Sequence, residues 1–206
     1  MAEKFIPDII VGRLPQYLRA LQRMAQENRH TTSSHELGEK LGISAAQIRK
    51  DLSQFGEFGK QGTGYDVQSL IGNLKKILKV DRVWDVAVVG AGDIGSGVVR
   101  YQGFKDRGYQ IAIIFDNDRE KIGSHIGALF VHDSSRIVEL IRTAGIKVAM
   151  ITVPAEDAQV VADLLVKAGV KAILNYTPIS INVPPHVRLQ YIDPVIHLQR
   201  MMYYLD

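Results

Sequence analysis

The hexapeptide Gly90-Ala91-Gly92-Asp93-Ile94-Gly95 constrains the fold of this 206-residue chain more than any other feature. It follows the apolar run Asp85-Val86-Ala87-Val88-Val89 and opens a helical pattern. A G-x-G-x-x-G at a strand–turn–helix junction has a physical reading at each glycine. Gly90 permits the tight turn, Gly92 lets backbone approach a pyrophosphate, and Gly95 lets the helix pack close to the strand. The phosphates then sit on the N–H groups of the helix start, which includes Ala91, Asp93 and Ile94. Such a motif requires an acidic residue about 20 positions on. Asp116 stands there, at the end of the next apolar run, IAIIFD. Its carboxylate is expected to accept from adenosine ribose hydroxyls and to repel a 2′-phosphate, which favours NAD(H) over NADP(H).

Further β-branched runs at 110–115, 147–153 and 171–174 alternate with helical patterns at 94–102, 134–144 and 156–168. Strand–helix alternation predicts an α/β, doubly wound parallel sheet. Ligands of such sheets bind at the carboxyl ends of the strands. The loops Thr152-Val153-Pro154 and Asn175-Tyr176-Thr177-Pro178 are therefore expected to hold the nicotinamide ribose and carboxamide. A dehydrogenase needs a proton donor or acceptor beside the nicotinamide. None of the six histidines falls in these loops. The expectation is a protein that binds a dinucleotide without turning it over, and is not an enzyme.

The first 80 residues read differently. Amphipathic spacing of Leu18, Leu21, Met24 and Ala25 predicts a helix from Pro15 to Asn28. Ser33 or Ser34 caps a short helix to Leu41, which Gly42 ends in the left-handed conformation. Ser44 caps the next helix, running to about Phe55. Two helices joined by a short glycine-containing turn form a helix-turn-helix. Gly56, Gly59, Gly62 and Gly64 then punctuate a segment suited to a tight hairpin, or wing. A helix from Val67 to Leu78 follows. Residues 1–80 carry 12 Lys+Arg against 8 Asp+Glu, a balance of +4, whereas residues 81–206 carry 13 against 14. A basic first part permits a polyanionic partner. The second helix of the pair presents Ser44, Gln47, Arg49, Lys50, Ser53 and Gln54. In the major groove, Arg or Lys pairs with guanine and Gln with adenine. Lys60 on the wing is placed for phosphate or the minor groove.

The combination of RLPQYLR, SSHELGEKLGISAAQIRKDLSQFGEFGKQGTGY, VVGAGDIGS, IFDND, TVP and NYTP resembles the Rex family of redox-sensing transcriptional repressors, over nearly the whole chain. The resemblance implies a winged-helix DNA-binding domain (1–80), a Rossmann-like dinucleotide-binding domain (81–190) and a C-terminal domain-swapped helix (191–206) in a homodimer. It implies NADH and NAD⁺ as effectors, not consumed, and double-stranded inverted-repeat operator DNA as partner. Repression of fermentative and respiratory genes is then relieved as NADH rises relative to NAD⁺. It also implies an interdomain switch of Arg19, Tyr101 and Asp193. Similar members often carry Arg in the wing where this chain has Gln61, with Lys60 beside it as the available cation. The segment from Asp193 to Leu205 is strongly apolar for a surface helix, which predicts burial against a second chain.

No cysteine is present, so disulfides and thiolate metal sites are excluded, and no metal is expected. No apolar run is long enough for a bilayer span, and no membrane partner is expected. The N-terminal segment MAEKFIPDII lacks a signal-peptide pattern. The cytoplasm is the expected compartment. Two rival readings stay open: a small NAD-dependent oxidoreductase, and a DNA-binding regulator that senses another adenine nucleotide, such as a coenzyme A ester or ADP.

Overall fold

The computed structural model describes residues 6–60 and 64–205. Gln61 lies outside the described residues, as does Gly62. The chain divides into two compact units, Met1–Arg82 and Val83–Asp206.

The first unit is built on α1 (Asp8–Gln26), α2 (Ser34–Leu41), α3 (Ala45–Leu52) and α4 (Val67–Ile77). Helix α1 begins seven residues before the expected Pro15, and Pro15 stands inside it. A proline there removes one helical hydrogen bond. Ile10 and Leu14 continue the buried stripe of Leu18, Leu21 and Met24, and their burial outweighs that loss. Helix α2 is capped by Ser33, whose Oγ accepts from the Glu36 amide at 3.1 Å, and is closed by Gly42 at φ 66°. Helix α3 is capped by Ser44, whose Oγ accepts from the Gln47 amide at 3.2 Å. It stops at Leu52, short of the expected Phe55, and a turn covers the remainder. At Gly38 a Cβ would collide with the Ile43 carbonyl, so this mid-helix glycine lets the turn between α2 and α3 fold back tightly.

Strands β1 (Thr31–Thr32), β2 (Gly59–Lys60) and β3 (Gly64–Asp66) form an antiparallel sheet in the order β1-β3-β2. The β2–β3 hairpin is the wing that the glycine spacing predicts. Thr31-Thr32, just ahead of the capping serines, pairs with Tyr65 and Asp66 and closes the wing's other edge. Leu14, Tyr17, Leu21, Leu37, Ile48, Leu70 and Leu74, all fully buried, form the core of this unit.

The second unit is a seven-stranded sheet. Its strands are β4 (Trp84–Val89), β5 (Tyr109–Asp116), β6 (His125–Ile126), β7 (Leu129–Asp133), β8 (Val148–Ile151), β9 (Ala172–Asn175) and β10 (Arg188–Tyr191). The order is β10-β9-β8-β4-β5-β7-β6, with only the β6–β7 pair antiparallel. Leaving out β6 and counting the parallel strands along the chain, the order is 3-2-1-4-5-6, that of dinucleotide-binding sheets. Alternate residues of β4 face opposite layers. Ala87 and Val89 pack with α6 (Ile137–Ala144) and α7 (Ala158–Ala168), through Ile141 and Leu165 among others. Val86 and Val88 pack on the other side with Val98 and Val99 of α5 (Asp93–Arg100). The sheet is thus covered on both faces, as a parallel sheet requires. The last helix, α8 (Pro194–Met202), has no buried residue within its own chain.

Candidate dinucleotide cleft and nucleic-acid interface

At the carboxyl ends of β4, β5 and β8 lies a cavity of about 560 Å³. Gly90, Gly92, Asp93, Ile94, Asp116, Thr152, Val153 and Pro154 line it, eight of the twelve residues expected at a dinucleotide. Each glycine has its own steric reason. Gly90 has φ 106°, and a Cβ on it would meet the Thr152 carbonyl oxygen at 2.6 Å. A Cβ on Gly95 would collide with the Gly90 carbonyl, so α5 packs against the turn only because Gly95 is bare. A Cβ on Gly92 would meet no protein atom at all. Gly92 is therefore dispensable for packing, and the space it leaves is free for a ligand. Gly92 is also the N-cap of α5 and makes no side-chain cap, so the helix start is left to other acceptors. Thr152 Oγ1 lies 3.0 Å from the Val89 carbonyl and 2.9 Å from the Gly90 carbonyl, holding the β8 loop against the glycine turn.

Asp116 is buried. Its Oδ2 accepts from the Ala91 amide at 2.6 Å, and its Oδ1 from the Asp118 amide at 2.8 Å. Lys121, which sequence reasoning missed, also lines the cleft. Its Nζ stands 3.7 Å from Asp116 and 3.5 Å from Asp118. Its signal was the DNDREK run that begins at Asp116. Val160 and Leu164 of α7 add an apolar wall.

Other expected residues are placed elsewhere. Ala91 is buried within the turn and Gly95 in the first turn of α5. Asn175 is fully buried and spent on its own loop. Its Oδ1 accepts from the Thr177 amide and hydroxyl, and its amide donates to the Ile179 carbonyl at 3.2 Å. Tyr176 donates its amide to the Ile151 carbonyl and packs its ring on the α5 face of the sheet, where burial pushes its phenol pKa up. Neither lines the cavity. Both shape the β9 loop, because an Asx-type turn satisfies backbone that a buried loop leaves open. Tyr101 ends α5, is half exposed, and sets its ring edge-on against Phe104. Asp193 caps α8, accepting from the Val195 amide at 2.9 Å. Arg19 is exposed on α1. Tyr101 and Lys105 also have the Tyr-x-x-x-Lys spacing of one dehydrogenase class. Lys105 falls in a 3-10 turn (Gln102–Arg107), and neither residue lines the cleft.

In the first unit, the solvent-facing side of α3 carries Ser44, Arg49, Lys50 and Ser53. Arg49 donates to Ser34 Oγ at 2.9 Å, which holds it toward the start of α2. Lys50 is exposed, without an ion pair among the described residues. Ser53 turns its hydroxyl onto the Lys50 carbonyl. Gln47, expected as a free reader, is half-buried, and its amide donates to Asp51 Oδ1 at 2.7 Å.

Asp51 itself was not foreseen. It is fully buried and accepts from Arg13 at 2.6 and 2.7 Å and from the Tyr17 hydroxyl at 2.6 Å, besides Gln47. Burial pushes its carboxyl pKa up. The hydrogen bonds from Arg13, Tyr17 and Gln47 outweigh that and hold it below the usual carboxylate range. Burial and the same contact push the Tyr17 phenol well up. Asp51 is thus an anion, acceptor-only, at every physiological pH.

Among the described residues no helix is long and apolar enough to cross a membrane, and no group of three or more His, Asp or Glu is placed to hold a metal ion.

Comparison with known proteins divides the chain in the same sense. A family described as a putative DNA-binding protein N-terminus matches residues 5–53, and one described as a CoA binding domain matches residues 81–179. The redox-sensing transcriptional repressor Rex of Chloroflexus aurantiacus is 50% identical over 97% of this chain and 94% of its own. That of Roseiflexus sp. is 49% identical over 97% and 90%. Among solved structures, RSP in complex with NAD⁺ and operator DNA matches at TM-score 0.94 and 36% identity, over 98% of this chain and 94% of that one. RSP in complex with NADH matches at 0.89 and 34%, over 98% and 95%. RSP is itself described as a Rex-family repressor. With half its residues shared over nearly its full length, a winged first unit and a dinucleotide-type sheet, this chain belongs to the Rex family of redox-sensing transcriptional repressors.

Proposed function

We propose that this protein represses transcription by binding inverted-repeat operator DNA as a homodimer, and that NADH in the cleft releases it. The observation that carries the reading is the pairing, in one chain, of a winged helix-turn-helix with a cleft whose Gly92 has space for a pyrophosphate. Relatives solved with NAD⁺ and operator DNA, and with NADH, support it. The proposed domains are 1–80 for DNA, 81–190 for the dinucleotide and 191–206 for the exchanged helix.

The chemistry follows from the groups present. The helix start at Gly92, Asp93 and Ile94 offers N–H donors to the pyrophosphate. Asp116 takes the adenosine ribose, and Thr152, Val153 and Pro154 take the remainder of the dinucleotide. The oxidised nicotinamide is a flat cation and the reduced ring is neutral. An apolar site prefers the neutral ring, because burying an unpaired charge is costly. That difference in affinity is the only source of switching, and typical couplings are about 1–3 kcal/mol, roughly 5- to 150-fold. Arg19, Tyr101 and Asp193 are proposed as the switch contacts. Lys50 and Arg49 are proposed for DNA, with Lys60 on the wing. Ser44 and Ser53 act through the helix ends that they hold.

The test is fluorescence anisotropy of an inverted-repeat duplex at fixed salt, with no ligand, with NAD⁺ and with NADH. Salt is fixed because phosphate contacts make affinity salt-dependent. Release by NADH alone is expected. Tight binding indifferent to both dinucleotides transfers the cleft to another adenine nucleotide, for which the match to a CoA binding domain is the favouring observation. Absence of DNA binding in every condition overturns the repressor reading.

A further inference from the structure

The fully buried carboxylate of Asp51 is more than a joint between α1 and α3. We infer that Asp51 is a positioning residue for sequence recognition: it fixes the amide of Gln47 so that one preset face, carbonyl oxygen and N–H together, is offered to an adenine edge. The inference rests on the DNA-binding reading of α3.

The argument starts from donor and acceptor inventory. Asp51 receives two bonds from the Arg13 guanidinium, one from the Tyr17 hydroxyl and one from Gln47. A carboxylate in that company is ionised and has no proton to give. Only the NH₂ arm of Gln47 can therefore face it, and the Oε1 arm is turned away. Among the described residues Oε1 takes no hydrogen bond. A glutamine amide has two N–H bonds, one syn and one anti to Oε1. The anti one is assigned to Asp51, which leaves the syn one beside Oε1.

That remaining pair is the acceptor–donor face that bonds adenine N6 and N7 in the major groove. Gln47 stands in the first turn of α3, and the N-terminal residues of a recognition helix meet base edges. A free glutamine rotates through several rotamers and presents its amide either way round. This one is held from behind by a residue that is itself held by three other donors. The ordering cost of the reader is thereby met by the fold and is absent from the binding step. Arg13 and Tyr17 lie in α1, outside the helix-turn-helix, so base preference depends on a helix that need not touch the base.

The experiment is selection of binding sites from a randomised duplex pool by the full chain, at one salt concentration. Wild type, Gln47→Ala and Asp51→Asn are compared, with melting temperature and affinity for non-specific duplex measured alongside. Wild type is expected to select an inverted repeat with one adenine per half-site that vanishes in Gln47→Ala. In Asp51→Asn the preference at that adenine falls by about 10-fold. The other selected positions and the non-specific affinity stay as in wild type, which a general loss of structure would not allow.

Retention of the adenine in Gln47→Ala, or in folded Asp51→Asn, overturns the inference. If Asp51→Asn fails to fold, the ¹⁵N side-chain amide spectrum of wild type decides. A dispersed, exchange-protected Gln47 NH₂ pair is expected, and a solvent-averaged pair overturns it. A wild-type pool without any consensus overturns the DNA reading itself, a result distinct from loss of one position.

Discussion

Asp116, at the end of β5, accepts a 2.6 Å hydrogen bond from the amide of Ala91 in the turn after β4. The acid that faces the expected ribose is therefore also a strut of the phosphate turn. Removing its charge acts on both ends of the adenosine diphosphate moiety. Asp116→Asn is expected to weaken NADH binding by roughly 10- to 150-fold, the worth of a hydrogen bond to a charged group, about 1.5–3 kcal/mol. The preference for NADH over NADPH narrows at the same time. Isothermal titration with both ligands checks this, and an unchanged NADH affinity refutes it.

Gly92 and Gly95 separate binding from packing. Gly95→Ala drives a methyl into the Gly90 carbonyl, so the folded state is expected to lose about 1–3 kcal/mol. Gly92→Ala meets no protein atom. Its melting temperature without ligand is expected to stay near wild type, while the stabilisation that NADH gives disappears. Thermal melts with and without NADH distinguish the two; equal loss of stability in both variants counts against the cleft assignment.

Arg13 is the partner that Asp51 can least do without. Arg13→Met leaves a buried anion short of two donors and is expected to cost about 3–5 kcal/mol in urea unfolding. The pH dependence has a definite sign. Asp51 titrates below an unfolded value of about 3.9, so its contribution is complete above that pH. It is lost as pH falls further, through the folded pKa. Wild type is expected to lose stability below about pH 4 more steeply than Asp51→Asn. Parallel acid limbs for the two proteins would remove the Asp51 assignment.

Helix α8 exposes Ile196, Leu198, Met201 and Met202, each more than half accessible in the isolated chain. Such a stripe is stable only when covered. Light scattering of wild type is expected to give twice the chain mass of 22.9 kDa. Leu198→Asp with Met202→Asp is expected to give the single-chain mass and to lose tight operator binding. A monomeric wild type at micromolar concentration refutes the dimer.

What the sequence disclosed was what local chemistry controls. Ser33, Ser44 and Gly42 were readable because a cap is a bond between a residue and backbone three or four positions away. Gly90, Gly92 and Gly95 were readable because one turn carries their spacing, and Asp116 because it closes the next apolar run. Strand β10 was not, because RLQY at a sheet edge has little apolar surface to bury. Strands β6 and β7 are short, and β7 mixes Phe130 and His132 with Val131, hiding its period. The early start of α1 was hidden by Pro15, whose local penalty is overridden by burial of Ile10 and Leu14. Asp51 and Arg13 are 38 residues apart, and no periodicity signals a pair at that distance. Asn175 shows the opposite error: a polar residue in the right loop whose bonding groups are turned inward.

The close fit of Gly90 against Thr152 has one more consequence. With no side chain between them, the turn after β4 and the loop after β8 touch backbone to backbone, and the Thr152 hydroxyl pins them. Neither segment has slack to absorb a displacement of the other. A shift of one therefore has to be matched by the other, as between two meshed gear teeth. A methyl group at position 90 would force those teeth apart and break the turn itself.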